Sequence, residues 1–122
     1  MIGYVTLGTN DLARGARFYD AIAAELSAGR IMDNEQFIAW GPPDGGPGLG
    51  LTSPYDGKQA TAGNGVMIAL AAKDRAQVDR LHALALSLGG TDEGAPGERF
   101  TGFYAAYFRD LDGHKLNVFV MG

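Results

Sequence analysis

The sequence predicts an α+β protein built from two βαβββ modules, and three observations carry that prediction. Both halves of the 122-residue chain run through one order of elements: strand, helix, then three strands. Leu7 and Leu70, Asp11 and Asp74, and Arg17 and Arg80 are identical pairs separated by 63 positions (70−7, 74−11, 80−17), and Tyr4 stands in the same register with Met67 (67−4). The second half closes on Phe103–Phe119, two runs of aromatic and β-branched residues joined by a tight turn. A unit of about sixty residues leaves one sheet face poorly covered, so pairing two such units solves a burial problem that neither solves alone. Strand twist is expected to curl the combined sheet and leave a concave face opposite the helices, the default place for a ligand.

Ile2–Leu7 alternates as a short strand. Thr9-Asn10-Asp11 offers capping oxygens to a helix over Leu12–Ala28, whose Leu12, Ala16, Tyr19, Ile22 and Leu26 fall along one face. Gly29 is placed to end it. Arg30–Asp33 and Gln36–Trp40 read as two strands around an Asp33-Asn34 turn, Gly41–Pro47 as a loop, and Gly48–Thr52 as a glycine-rich fourth strand. Module 1 therefore spans residues 1–53, a small polar linker 54–64, and module 2 residues 65–122. In module 2, Val66–Ala72 is an apolar strand, and Asp74 with Gln77 resembles a capping box. Val78, Leu81, Ala85 and Leu88 mark the buried side of a helix that Gly89-Gly90 closes. A short strand near Thr91 and a loop over Glu93–Arg99 lead into the final hairpin. There Asp112-Gly113 makes the turn, because glycine takes the positive φ that the reversal needs. The DxDG segment is not a calcium loop, since the spacing of an EF-hand demands a further ligand at its fifth position and a glutamate at its twelfth.

Composition narrows the function. Apolar residues make up 46% and charged residues 20%, which describes an ordinary globular chain. A net charge of −4 without a basic cluster argues against nucleic acid or an anionic membrane as partner. There is no cysteine, hence no thiol nucleophile and no thiolate metal site. The N-terminus shows no signal peptide, and the default expectation is the cytoplasm. His82 reads as a helix-edge histidine held by a neighbour, His114 as a solvated one, and Arg109-Asp110 as an exposed pair.

The GYVTLGTNDLARGARFYDAI opening and the GNGVMIALAAKDRAQVDRLHALALSLGGTDEGAPGERFTGFYAAYFRDLDGHKL stretch resemble the two modules of the vicinal oxygen chelate superfamily of glyoxalase, bleomycin resistance and extradiol dioxygenase proteins. The resemblance implies paired βαβββ modules, an open eight-stranded cup with helices outside, and a homodimer. It also implies four strand positions that hold a divalent ion in metal-using members. Here those positions carry Tyr4, Met67, Asn117 and a residue within Gly48–Thr52, a segment with neither carboxylate nor imidazole. A phenol, a thioether and an amide are poor ligands for such an ion, so no metal and no other cofactor is expected. The expected role is binding of a small molecule, with Tyr4, Met67 and Asn117 facing the cup. Trp40, Tyr104 and Tyr107 are candidate aromatic walls, and Arg99 a candidate anchor for an anion. The alternatives are a lactoylglutathione lyase-like lyase or isomerase working through acid–base groups without a metal, and a non-catalytic interaction module.

Overall fold

Asp11 starts the first helix by accepting a hydrogen bond from the Arg14 amide at 3.0 Å, and Asp74 starts the second by accepting from the Gln77 amide at 2.8 Å. Gln77 returns its own Oε1 to the amide of Lys73 at 2.8 Å, one residue outside the position a standard capping box would reach. These matched caps open α1 (Leu12–Glu25) and α2 (Arg75–Ser87) in a computed structural model that describes residues 1–122. The chain forms two units, Met1–Thr61 and Ala62–Gly122.

The first unit holds β1 (Tyr4–Gly8), α1, β2 (Gly29–Asp33), β3 (Phe37–Gly41) and β4 (Gly48–Thr52). Its sheet runs β1-β4-β3-β2, with β1 parallel to β4 and the other pairs antiparallel. Leu7, Ile38, Trp40 and Leu51 turn towards α1 and bury Phe18, Tyr19 and Ile22. Gly15 lets the helix come close: a Cβ there would stand 2.6 Å from Cδ2 of Leu51.

The second unit repeats the pattern with β5 (Met67–Ala71), α2, β6 (Thr91–Phe100), β7 (Phe103–Arg109) and β8 (Lys115–Met121) in the order β5-β8-β7-β6. Val78, Leu81 and Ala85 of α2 pack on Ala106, Phe108, Leu116 and Val118, all of them 0% exposed. Burying side chains of this size stabilises a fold by roughly 1.5–3 kcal/mol each. The α+β class and the two βαβββ modules follow the sequence pattern, with the eight strands arranged as two four-stranded sheets.

Four local expectations give way. Helix α1 ends at Glu25 and not at Ala28, and the left-handed residue behind it is Ser27 (φ 59°) in place of Gly29. Glu93–Arg99 is no loop but the body of β6, an edge strand whose pairing with β7 slips three times. Gly94, Pro96 and Gly97 interrupt the strand pattern in sequence, yet they are tolerated at bulges on an edge. His114 is 7% exposed, because its turn is drawn in by Asp110, whose carboxylate accepts from the amides of Asp112 and His114. Asp110 is itself buried, and Arg109 pairs with Glu93 on the neighbouring strand, so the two do not form an exposed ion pair with each other.

Candidate functional site

Strand alternation divides the second unit's sheet into two faces. One carries Tyr104, Ala106, Phe108, Leu116 and Val118 towards α2. The other carries, rung by rung, Met67–Lys115–Arg109, then Ala69–Asn117–Tyr107, then Ala71–Phe119–Ala105, then Met121–Phe103–Phe100. Three of the residues picked from sequence, Met67, Asn117 and Tyr107, therefore share one face. Arg99 joins them, with its guanidinium 5.4 Å from the centre of the Tyr107 ring and donating to the Ala95 carbonyl at 2.6 Å. Lys115 lies over the same ring at 5.5 Å.

Asn117 is the most telling side chain on this face. It is 2% exposed, and its Oδ1 is buried without any hydrogen-bond partner. Leaving a buried acceptor unsatisfied costs about 1–3 kcal/mol, so such a group in a well-packed sheet points to an absent partner. At one end of the face, segment 62–67 with Arg109 and Lys115 lines a cleft of about 660 Å³. At the other end, Phe100, Phe103 and Phe119 stack at centroid distances of 4.9 and 5.7 Å. The sequence reading passed over Lys115 and Phe119, although both follow from Asn117 by counting two residues in either direction along the strand.

Tyr104 and Trp40 are not walls of such a face. Tyr104 lies on the α2 side, where its hydroxyl donates to Asp79 at 2.6 Å under the guanidinium of Arg75. The Asp79 carboxylate raises the Tyr104 phenol above its usual range by holding it in the protonated form. Trp40 is 3% exposed on the α1 side, where it meets Tyr19 and donates Nε1–H to Asp20 at 2.8 Å. Arg30 grips the same carboxylate through two nitrogens at 2.9 and 2.8 Å. Arg30 first, and then the indole N–H against a burial effect of opposite sign, holds Asp20 below the usual carboxylate range. Tyr4, by contrast, is 67% exposed on the face of the first sheet turned away from α1.

The four strand positions can now be tested as a metal site. Thr6 pairs with Gly50 in the first sheet and Ala69 pairs with Asn117 in the second; Thr6 and Ala69 stand in the 63-residue register (69−6), so Gly50 is the counterpart of Asn117. Gly50 offers no side chain, and a Cβ there would sit 2.6 Å from Cζ of Phe37, whose ring fills the space. The first unit thus offers a phenol and a glycine, and the second a thioether and an amide. Nowhere do three His, Cys, Asp or Glu side chains gather. Neither unit's pair of donors fits a divalent cation. Neither histidine lies on the face described: His82, on α2, meets Asp92 at 3.0 Å, and His114 is buried in the turn.

Comparison with known proteins gives a consistent result. The family model described as "Glyoxalase/Bleomycin resistance protein/Dioxygenase superfamily" matches residues 1–118. A crystal structure of a glyoxalase/bleomycin resistance protein from Albidiferax ferrireducens is 37% identical, with a TM-score of 0.90 over 98% of this chain and 97% of that one. A hypothetical protein from S. aureus is 26% identical, with a TM-score of 0.75 over 98% and 92%. A lactoylglutathione lyase from Agrobacterium tumefaciens shares the fold at 22% identity and a TM-score of 0.70, over 98% and 92%. No curated protein matches the chain.

Proposed function

Since this chain belongs to the glyoxalase/bleomycin resistance protein/dioxygenase superfamily, we propose that it binds a small molecule, without a metal ion, on the second unit's sheet face turned away from α2. The observation that carries this reading is the buried, unpartnered Oδ1 of Asn117. A ligand that donates a hydrogen bond there satisfies that buried acceptor, and Tyr107 with the phenylalanine stack supplies the apolar walls a small-molecule site needs. Sequestration asks only for shape and a few placed polar groups. Turnover asks as well for an acid or base held by a partner; both histidines lie elsewhere, and Lys115 and Tyr107, which do share the face, meet each other and no carboxylate or imidazole. Binding without chemistry is therefore the better reading.

The proposal extends to a cytoplasmic homodimer. Ten large apolar side chains are exposed on the single chain, among them Tyr4, Ile31, Met32, Met67, Phe100 and Met121, and a second copy would cover part of them. No helix is long and apolar enough to cross a membrane.

The test pairs elemental analysis of the pure protein with thermal-shift screens against nickel, zinc, manganese and iron(II), and against a small-molecule library. The expected result is no stoichiometric metal, together with saturable stabilisation by a library compound that disappears in Asn117→Leu. One ion bound per chain, or ligand stabilisation indifferent to Asn117, rejects the reading.

A further inference from the structure

The charge on the same face names the class of ligand, an inference that rests on the binding role proposed above. Arg109 and Lys115 stand directly opposite each other on β7 and β8. Like charges directly opposite across a strand pair are destabilising. Glu93 answers Arg109 through Nε, and Arg109 also donates to the Gly113 carbonyl at 3.0 Å. Lys115 has no carboxylate: its ammonium meets only the face of Tyr107. Arg99, above the same ring, likewise has a carbonyl and no carboxylate. Two cations lacking counter-ions thus bracket one aromatic ring in a chain whose net charge is −4. Beside them Lys115 and Arg109 open onto the 660 Å³ cleft, with the unpartnered Asn117 one rung further along the sheet.

Polarity falls steadily along β8, from Lys115 through Asn117 to Phe119. At about 3.4 Å per residue these three side chains span roughly 14 Å. We propose that this face is built for an amphipathic oxyanion. Its carboxylate or phosphate head sits in the cleft at Lys115, a hydrogen-bond donor beside the head reaches Asn117, and a planar or apolar body lies along Phe119 and Phe103. The head supplies the missing counter-ion, the donor satisfies the buried acceptor, and the body covers the aromatic stack.

Titration calorimetry with 2-hydroxy-4-phenylbutanoate, 2-hydroxy-4-phenylbutyl phosphate, neutral 2-hydroxy-4-phenylbutanamide and inorganic phosphate tests the proposal, the hydroxyl supplying the donor beside each head and amide chemical shifts of β7 and β8 locating each probe. The two aromatic anions should bind about tenfold or more tightly than the amide at low salt, a margin matching one charge-assisted contact. That margin should shrink as salt rises, vanish in Lys115→Met and survive in Lys115→Arg. Comparing the acid with the phosphate ester decides which head the cleft prefers, and inorganic phosphate reads the cleft without the aromatic face. If the amide binds as tightly as the anions, or Lys115→Met keeps the margin, the oxyanion assignment fails while the small-molecule reading stands. If no probe binds, the oxyanion assignment fails as well, and the Asn117-dependent library screen judges the binding role separately.

Discussion

Single side chains decide most of what this protein can do, and Asn117 is the first of them. An amide buried without a partner should matter little to folding and much to binding. Asn117→Leu, which keeps the branching and removes the polar atoms, is expected to change stability by less than about 1 kcal/mol, the larger methyls offsetting the relieved acceptor, while abolishing ligand stabilisation. Urea unfolding checks the first half; a loss above about 1 kcal/mol would reveal a structural role for the amide. Asp20 behaves in the opposite way. Its folded-state pKa lies below the ordinary 3.8, so its contribution is complete above about pH 4 and is lost as the pH falls through the lowered value. The Asp20 and Arg30 side chains are 43% and 36% exposed, which limits the pair to under about 1 kcal/mol. Trp40 is the chain's one tryptophan and donates to that carboxylate, so its emission should change with an acid midpoint below 3.8 that Asp20→Asn removes. A midpoint at or above the ordinary value would mean the Arg30 contact is absent in solution.

Elements show where sequence is a sufficient guide. Both helix starts were legible because a cap is a local device: an aspartate and the amide three residues on settle it. The 63-residue register was legible for the same reason, since strand, cap and helix recur as one local unit. The end of α1 was not, because a serine does there what glycine ordinarily does. Ser27→Gly is expected to stabilise the protein by roughly 0.5–1 kcal/mol by removing the Cβ clash of the left-handed conformation, measurable as a rise in melting temperature. Gly15→Ala should go the other way. The gain in helix propensity is about 1 kcal/mol, but the added methyl meets Leu51, which is 1% exposed and has little room to move, so a net loss of around 1 kcal/mol is expected. Strand β6 was illegible because bulges on an edge use the residues that elsewhere mark a loop. Half of the candidate site was also within reach of simple counting. Tyr104 and Tyr107 are three apart in one strand and cannot share a face, whereas Lys115, Asn117 and Phe119 must. What counting cannot supply is which face the helix takes, and that choice put Trp40 and Tyr104 into packing and hydrogen bonding beneath the helices.

Across the whole molecule, the same βαβββ plan is written twice with different endings. The first sheet lays Phe37 and Ile31 against Gly50, Gly41 and Gly48 on its outer face, while the second carries cations, an amide and phenylalanines on the equivalent surface. If the proposed dimer forms, sedimentation equilibrium should return twice the chain mass of 12.8 kDa, and Phe100→Glu should shift the mass towards a single chain. A persistent single-chain mass at all concentrations would remove the dimer from the proposal. The ring of Phe37 also constrains the protein's possible histories. A glutamate or histidine introduced at Gly50 would collide with it, since even a Cβ there stands 2.6 Å from the ring. A metal-binding side chain at Gly50 is thus out of reach of any one-letter change, since the glycine and the phenylalanine that covers it would have to be replaced together.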